Sequence, residues 1–267
     1  MNASVTTTLP PGTQLQLMYI KERLKQSRPG QFIEIGPGHG DITRLLLDLG
    51  WTGRSMDLET VTVQRLQARF ADEIAAGKYT ASVDDYVAKR PDARMDLVIS
   101  CMVMEHLDDD AELAFMQRSA EWLKPQGLMI GLVPGSPAHW GIEDEIAGHC
   151  RRYTREDVSL LASKTGWAIE QLCGLTYPLS NMLLSLSNYL VRRSEAEKLR
   201  LSELERTKQS GRRHVKYKTH LPAVMGWLVN KYTLLPAYLL QKLFRHSEKA
   251  LVLYFEARPL KKGVNDA

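Results

Sequence analysis

The chain has 267 residues, 44% of them hydrophobic and 25% charged, with a net charge of +4 and three cysteines. That balance excludes a wholly disordered chain, a collagen-like chain and a polytopic membrane protein, and leaves room for one large domain with an elaboration. Cys101, Cys150 and Cys173 are too few for a disulfide framework and lack zinc-site spacing, so a reducing, cytoplasmic setting is expected. The first residues, MNASVTTTLPPGTQ, carry neither the basic nor the apolar region of a secretory signal.

Residues 1–12 read as a mobile lead-in ending in Pro10-Pro11-Gly12. Leu15, Met18, Ile20 and Leu24 recur at near-helical spacing, which predicts a helix over 13–27. Gln31–Ile35 is a short strand running into a glycine-rich turn, followed by a helix from Asp41 to Leu49 that Gly50 stops. A strand at Arg54–Asp57, a helix at Val61–Ala76 stopped by Gly77, and strands at Tyr79–Val83 and Asp96–Cys101 come next. A helix at Ala111–Leu123 is closed by Pro125-Gln126-Gly127, and a strand at Leu128–Val133 follows. A helix from Thr154 to Lys164 opens on Thr154-Arg155-Glu156-Asp157, a capping box with Asp as the acidic member. Strands at Trp167–Leu172 and Ala250–Ala257 complete the count at seven. Strands alternating with helices imply an α/β fold with helices on both faces of a parallel sheet.

Residues 178–249 interrupt this alternation. They hold an apolar helix-like piece (Leu179–Val191), a basic run and a second apolar piece (Leu221–Phe244). From Arg192 to Lys218 ten Lys or Arg stand against four Glu, a net +6. Pro222, Asn230, Lys231, Pro236 and Gln241 interrupt the second apolar piece, which argues against a membrane span. Packing on the core or on a twin subunit, and attachment to a membrane surface, both remain open. Surface attachment would leave the apolar face exposed and rimmed by Lys and Arg.

The strongest local signal is Phe32-Ile33-Glu34-Ile35-Gly36-Pro37-Gly38-His39-Gly40-Asp41. Three alternate glycines let a ligand approach the backbone where a helix offers free N–H groups. A dinucleotide fingerprint would need glycine where Asp41 stands, and no GK[ST] follows for a phosphate-binding P-loop.

This acidic residue followed by G-x-G-x-G resembles the first motif of the class I S-adenosylmethionine-dependent methyltransferases, in particular the type 11/12-like subgroup. The resemblance covers residues 13 to about 178, with the last strand completing the sheet. It implies a Rossmann-like, doubly wound, mostly parallel seven-stranded sheet with an antiparallel last strand, plus a helical insertion before that strand. Residues 13–177 with 250–259 would form the methyltransferase domain and 178–249 a lid, dimer or membrane-surface element.

The resemblance also implies S-adenosylmethionine as cofactor, bound by Glu34, Gly36, Pro37, Gly38 and Gly40. Asp57 and Leu58 end the second strand, where the family places a carboxylate on the ribose hydroxyls; the alternative is a local helix cap. Asp84 or Asp85 would accept from the adenine amino group. Asp96-Leu97-Val98-Ile99-Ser100-Cys101 followed by Met102-Val103-Met104-Glu105-His106 resembles the family's fourth-strand segment, which puts Ser100 and Met102 beside the donor methyl. Leu123-Lys124-Pro125-Gln126-Gly127 resembles its L-K-P-G-G turn.

Some relatives hold a divalent ion through E-x-x-E-H. Met102 stands at the first acidic position here, so no metal is assigned. His106, His139 and His149 are the candidate bases. The segment from Asp144 to Thr154 resembles a bacterial subgroup linked to glycan and lipid biosynthesis. Glu105, Arg151, Arg152 and Tyr153 would hold an anionic or hydroxyl-rich acceptor, unless the arginines pair with Glu143, Asp144 and Glu145. The function implied is methyl transfer, to oxygen, on a small molecule or lipid-linked glycan. The partners expected are that acceptor, a peripheral membrane contact at the inner face of the membrane and a twin subunit. The alternative is an RNA-directed enzyme that uses the basic 192–218 segment.

Overall fold

In the computed structural model, strands β1 (Gln31–Ile35), β2 (Thr52–Asp57), β3 (Tyr79–Val83), β4 (Met95–Cys101), β5 (Leu123–Pro134), β6 (Trp167–Leu175) and β7 (Val252–Pro259) form one sheet. The structure describes residues 8–195, 206 and 221–260. Strand order is β3-β2-β1-β4-β5-β7-β6. β1 to β5 pair in parallel, and β7 lies antiparallel between β5 and β6. The expected doubly wound seven-stranded sheet with an antiparallel last strand is what the chain forms.

The apolar strands read as continuous runs because both faces are covered. In β4, Leu97 and Ile99 join one buried cluster with Leu15 and Ile20 of α1 (Pro11–Leu24) and Leu46 of α2 (Asp41–Asp48). Val98 points the other way, into a cluster with Phe115 and Trp122 of α5 (Asp109–Trp122) and Leu161 of α7 (Arg155–Thr165). The chain leaves β1 toward β2 and β3, then returns to β4 on the other side of β1. That reversal opens a crevice at the carboxyl ends of β1 and β4, where open α/β sheets bind ligands.

Several boundaries differ from the sequence reading. The helix predicted over 61–76 is two, α3 (Thr60–Arg69) and α4 (Ala71–Ala75). Phe70 breaks it, with φ −114° and ψ 29°, and its buried ring packs edge-on against Tyr79 at 5.1 Å. β5 begins at Leu123, which already pairs with Met95, and a register shift between Met95 and Leu97 absorbs the Pro125-Gln126-Gly127 turn. β6 extends to Leu175, and the last strand starts at Val252 instead of Ala250. The capping box at Thr154 forms as expected, with Asp157 as its acidic member.

Between β6 and β7 lie α8 (Leu179–Glu195) and α9 (Leu235–Leu243). The apolar piece 221–244 is not one helix. A short helical turn at Ala223–Trp227 ends before Asn230, whose Oδ1 accepts from the backbone of Tyr232 and Thr233 at 2.9 and 3.3 Å, and Pro236 then sits at the start of α9. Among the described residues no helix is long and apolar enough to cross a membrane. Of the basic run 192–218, only 192–195 and 206 lie among the described residues. The short α6 (Ile142–Ala147) packs against α8.

Candidate active site

The glycine loop leaves β1 with Gly36, Gly38 and Gly40 all at positive φ (63°, 53° and 81°). A Cβ on Gly36 would collide with Val103, and one on Gly40 would lie 2.7 Å from both Leu66 and Phe70. Glycine is therefore required both by conformation and by the close approach of neighbours. The loop is pinned from α3. Arg65 donates to His39 Nδ1 at 3.2 Å, and Arg69 donates to the His39 carbonyl and pairs with Asp41 at 3.0 Å. Sequence reading missed both arginines; their i, i+4 spacing on one helix face was the available signal.

Glu34 lies beneath this loop, 2% exposed. It accepts from Thr43 Oγ1 of α2 and, at 3.3 Å, from Ser55 Oγ of β2. Burial pushes its carboxyl up to about 7 against those hydrogen bonds. Both bonds fall on the same carboxylate oxygen, Oε2, and brace the loop from below. Pro37 keeps its place in the loop between Gly36 and Gly38.

Asp57 ends β2. One oxygen accepts from the Glu59 backbone at 2.8 Å, and burial raises its carboxyl above the ordinary range. That bond closes a turn ahead of α3, whose N-cap is Glu59, so Asp57 is not the helix cap weighed in the sequence, and the turn occupies one oxygen. Asp84 donates its backbone N–H to the Asp57 carbonyl at 3.1 Å, which ties the ends of β2 and β3 together. Lys89, 2.7 Å from the Asp84 carboxylate, holds that group below its usual range. Asp85 is exposed and accepts from the backbone of Val87 and Ala88. Leu58 and Val83 are exposed apolar side chains beside these strand ends.

Near the end of β4, Ser100 is buried, and just after the strand Met102 takes a positive φ of 56° while donating its N–H to the Leu132 carbonyl at 2.9 Å. The turn Met104–His106 then puts Glu105 fully inside. Neither Glu105 oxygen has a hydrogen-bond partner among the described residues. Burial pushes its carboxyl up to about 7. His106 donates Nδ1–H to the Gly148 carbonyl at 3.2 Å; burial, with His149 nearby, pushes it down to about 4.

Residues 148–153 fold back over this turn. The Cys150 N–H donates to the Glu105 carbonyl at 2.7 Å, and that of Tyr153 to Pro134 at 2.8 Å. His149 thereby meets the cluster: its ring lies edge-on to His106 at 4.8 Å, and its Nε2 is 3.8 Å from Glu105. On its other side Nδ1–H donates to Asp144 Oδ1 at 2.8 Å. Asp144 is itself buried and accepts from Arg152 at 2.8 Å and from the Gly141 backbone at 2.9 Å. Burial alone would raise the Asp144 carboxyl, but the bonds from His149 and Arg152 outweigh it and hold the group low. The Asp144 carboxylate orients the His149 ring and leaves Nε2 on the side of Glu105. Ligand atoms of Glu105, His106 and His149 all lie within 4.8 Å of one another.

The three residues expected on the acceptor side all make bonds within the fold. Tyr153 is buried and donates to Glu112. Arg151 binds the Leu107 carbonyl at 3.0 Å, Asp109 at 2.8 Å and Glu112 at 3.3 Å. Arg152 binds Asp144 and the Gly135 carbonyl at 2.9 Å. These bonds tie the three residues into the 148–153 segment, while the buried Nε of Arg151 has no hydrogen-bond partner among the described residues. Of the pairings weighed for the arginines, that of Arg152 with Asp144 forms. His139 lies apart from the cluster and bonds Ser136 at 2.8 Å and Asn181 at 3.5 Å.

A doubly wound sheet of this order, with a glycine cradle after β1 and a carboxylate ending β2, defines a class I S-adenosylmethionine-dependent methyltransferase, an enzyme whose cofactor is S-adenosylmethionine. Residues 13–172 match the model of a methyltransferase-domain family, and the chain belongs to that family. Among solved structures, it resembles a protein of Galdieria sulphuraria assigned as a sarcosine dimethylglycine methyltransferase, with TM-score 0.59 and 15% identity over 92% of this chain and 85% of that one. It also resembles the methyltransferase domain of bacterial CtHen1-CN, with TM-score 0.51 and 21% identity over 61% and 90% of the two chains. At such identities these likenesses speak for the fold. A stretch of 55 residues is 44% identical to a Methanospirillum hungatei protein assigned as ribosomal RNA small subunit methyltransferase A, covering 21% of this chain and 22% of that protein.

Proposed function

We propose that the protein transfers a methyl group from S-adenosylmethionine to an oxygen of a small-molecule or lipid-linked glycan acceptor. The observation that carries this reading is the Asp144–His149 pair, which meets Glu105 and His106 just beyond the end of β4. The bound sulfonium supplies an activated methyl for in-line displacement. The free oxygen of Asp57 receives the ribose hydroxyls, Asp84 receives the adenine amino group, and Leu58 and Val83 cover the ring faces. A hydroxyl acceptor must lose a proton as it attacks. His149, oriented by Asp144, takes that proton on Nε2, a step worth about 10²–10⁴ in rate. Residues 13–177 with 250–259 serve as the catalytic unit. The insertion 178–249 serves as the acceptor-side cover, reaching His139 through Asn181.

One observation favours a second reading of the proton step. A fully buried carboxylate without hydrogen bonds is costly unless it is protonated or meets a cation. Glu105, His106 and His149 would supply three ligands to a divalent ion. Calorimetric titration of chelator-treated protein with magnesium, manganese and zinc separates the two readings; binding lost in Glu105→Gln supports the ion.

The test of the main reading starts with calorimetric binding of S-adenosylmethionine and of its demethylated product. Tritium-labelled donor is then incubated with cell extract, which is split into lipid-linked saccharide, small polar and RNA fractions. Label in either of the first two fractions, lost in His149→Ala while donor affinity holds, is the expected result. Label confined to RNA would overturn it in favour of the ribosomal RNA reading.

A further inference from the structure

Two segments of the 178–249 insertion carry outward apolar stripes, with Glu195 at the very end of α8 as their one acidic residue. On α8, Met182, Leu186 and Tyr189 are exposed at spacings of four and three, Met182 by 77%, and the stripe runs into exposed Arg192 and Arg193. The opposite side of this helix buries Val191 against Ile146 of α6. The second stripe starts at the turn Ala223–Trp227, where Trp227 is 70% exposed. It continues through Tyr232, 76% exposed, to Leu235, Leu239 and Leu243 on α9, the last 73% exposed. The opposite side of α9 is committed to the fold: Tyr238 donates to Glu22 at 2.7 Å, and buried Gln241 accepts from the Thr176 backbone at 2.8 Å.

The two stripes are joined at their bases. Phe244 packs edge-on against Tyr177, just before α8, at 5.7 Å. Asn181 of α8 donates to the Lys249 carbonyl at 2.9 Å. Between Leu221 and His246 the chain has Lys231, Arg245 and Lys242, the last paired with Glu22 at 2.6 Å, and no Asp or Glu; between Leu179 and Arg193 it has two arginines and no Asp or Glu. In sequence, the net-positive run to Lys218 links the two segments.

Exposed leucines on an α-helix, flanking Trp and Tyr, cationic charge and absent anionic charge match a helix lying in a bilayer interface. A second copy of the chain would bring cation against cation across a two-fold axis. An anionic surface would complement them. Neither helix is a membrane span. We infer that Trp227, Tyr232 and α9, together with the outer stripe of α8, form a face that docks on an anionic lipid bilayer. The face adjoins the acceptor-side loop, because Asn181 at the head of α8 touches His139. The inference does not depend on which acceptor is methylated, and its test reads binding, not turnover.

The full chain is sedimented with vesicles of phosphatidylcholine alone and of phosphatidylcholine mixed with phosphatidylglycerol. Binding is expected to the mixed vesicles, at least tenfold stronger than to the neutral ones and weakened by salt. The triple variant Trp227→Ser, Leu239→Ser, Leu243→Ser should lose at least tenfold of that binding. Because these side chains are exposed, its thermal melt and its affinity for S-adenosylmethionine should match the wild type. Failure of the wild type to bind anionic vesicles, or equal binding by the triple variant, overturns the inference. So does a wild-type dimer in sedimentation equilibrium that the triple variant turns into a monomer, since the face would then be a subunit contact.

Discussion

Replacing Glu34 with glutamine removes an ionisable group while keeping its shape beneath the glycine loop. In the folded protein burial pushes the Glu34 carboxyl up to about 7, against an ordinary value of 4.5. Between those limits the folded state binds more protons than the unfolded chain, so stability falls as pH rises. The contribution is fully present below pH 4.5 and is lost as pH passes about 7. A shift of that size corresponds to about 3 kcal/mol between the two ends of the window. Glutamine has no charge to desolvate, so Glu34→Gln should be more stable than the wild type at pH 8, by up to about 3 kcal/mol, with the advantage shrinking toward pH 5. Urea denaturation of both proteins at intervals from pH 5 to pH 8 measures this. Glu105 moves in the same direction in both proteins, so the difference between them isolates Glu34. A stability difference that stays constant across the window would refute the reasoning.

Three other substitutions probe separate parts of the site. Asp57→Ala removes the acceptor proposed for two ribose hydroxyls, about 3 kcal/mol of charge-assisted bonding, and should weaken donor binding roughly a hundredfold by calorimetry. Gly40→Ala places a Cβ against Leu66 and Phe70 at φ 81°, and should lower stability by about 1–3 kcal/mol in urea denaturation and abolish donor binding. Tyr153→Phe removes the bond to Glu112 and should cost about 1–3 kcal/mol of stability while leaving donor affinity unchanged. If it instead spared stability and raised only the acceptor KM, Tyr153 would be a substrate residue after all.

The sheet and the donor loop were legible because their signals are local. Apolar runs such as 96–101, stops such as Gly50 and Gly77, and the alternate glycines after Ile35 each constrain the backbone within a few residues. That determined the seven strands, the doubly wound order that the family resemblance implied, and the place of Asp57 at a strand end. Helix breaks were less legible, because Phe70 interrupts its helix to reach Tyr79, a partner nine residues on. The proposed catalytic cluster belongs wholly to the tertiary structure. Glu105 and His106 are adjacent in sequence, but His149 reaches them only because residues 150 and 153 hydrogen-bond back to Glu105 and Pro134. The same folding engages Arg151, Arg152 and Tyr153 with buried carboxylates and carbonyls, which turns residues chosen for the acceptor into supports for His149. Side-chain type announces what chemistry a residue can do; which partner consumes its hydrogen bonds is decided by neighbours distant in sequence, and only packing brings those neighbours together.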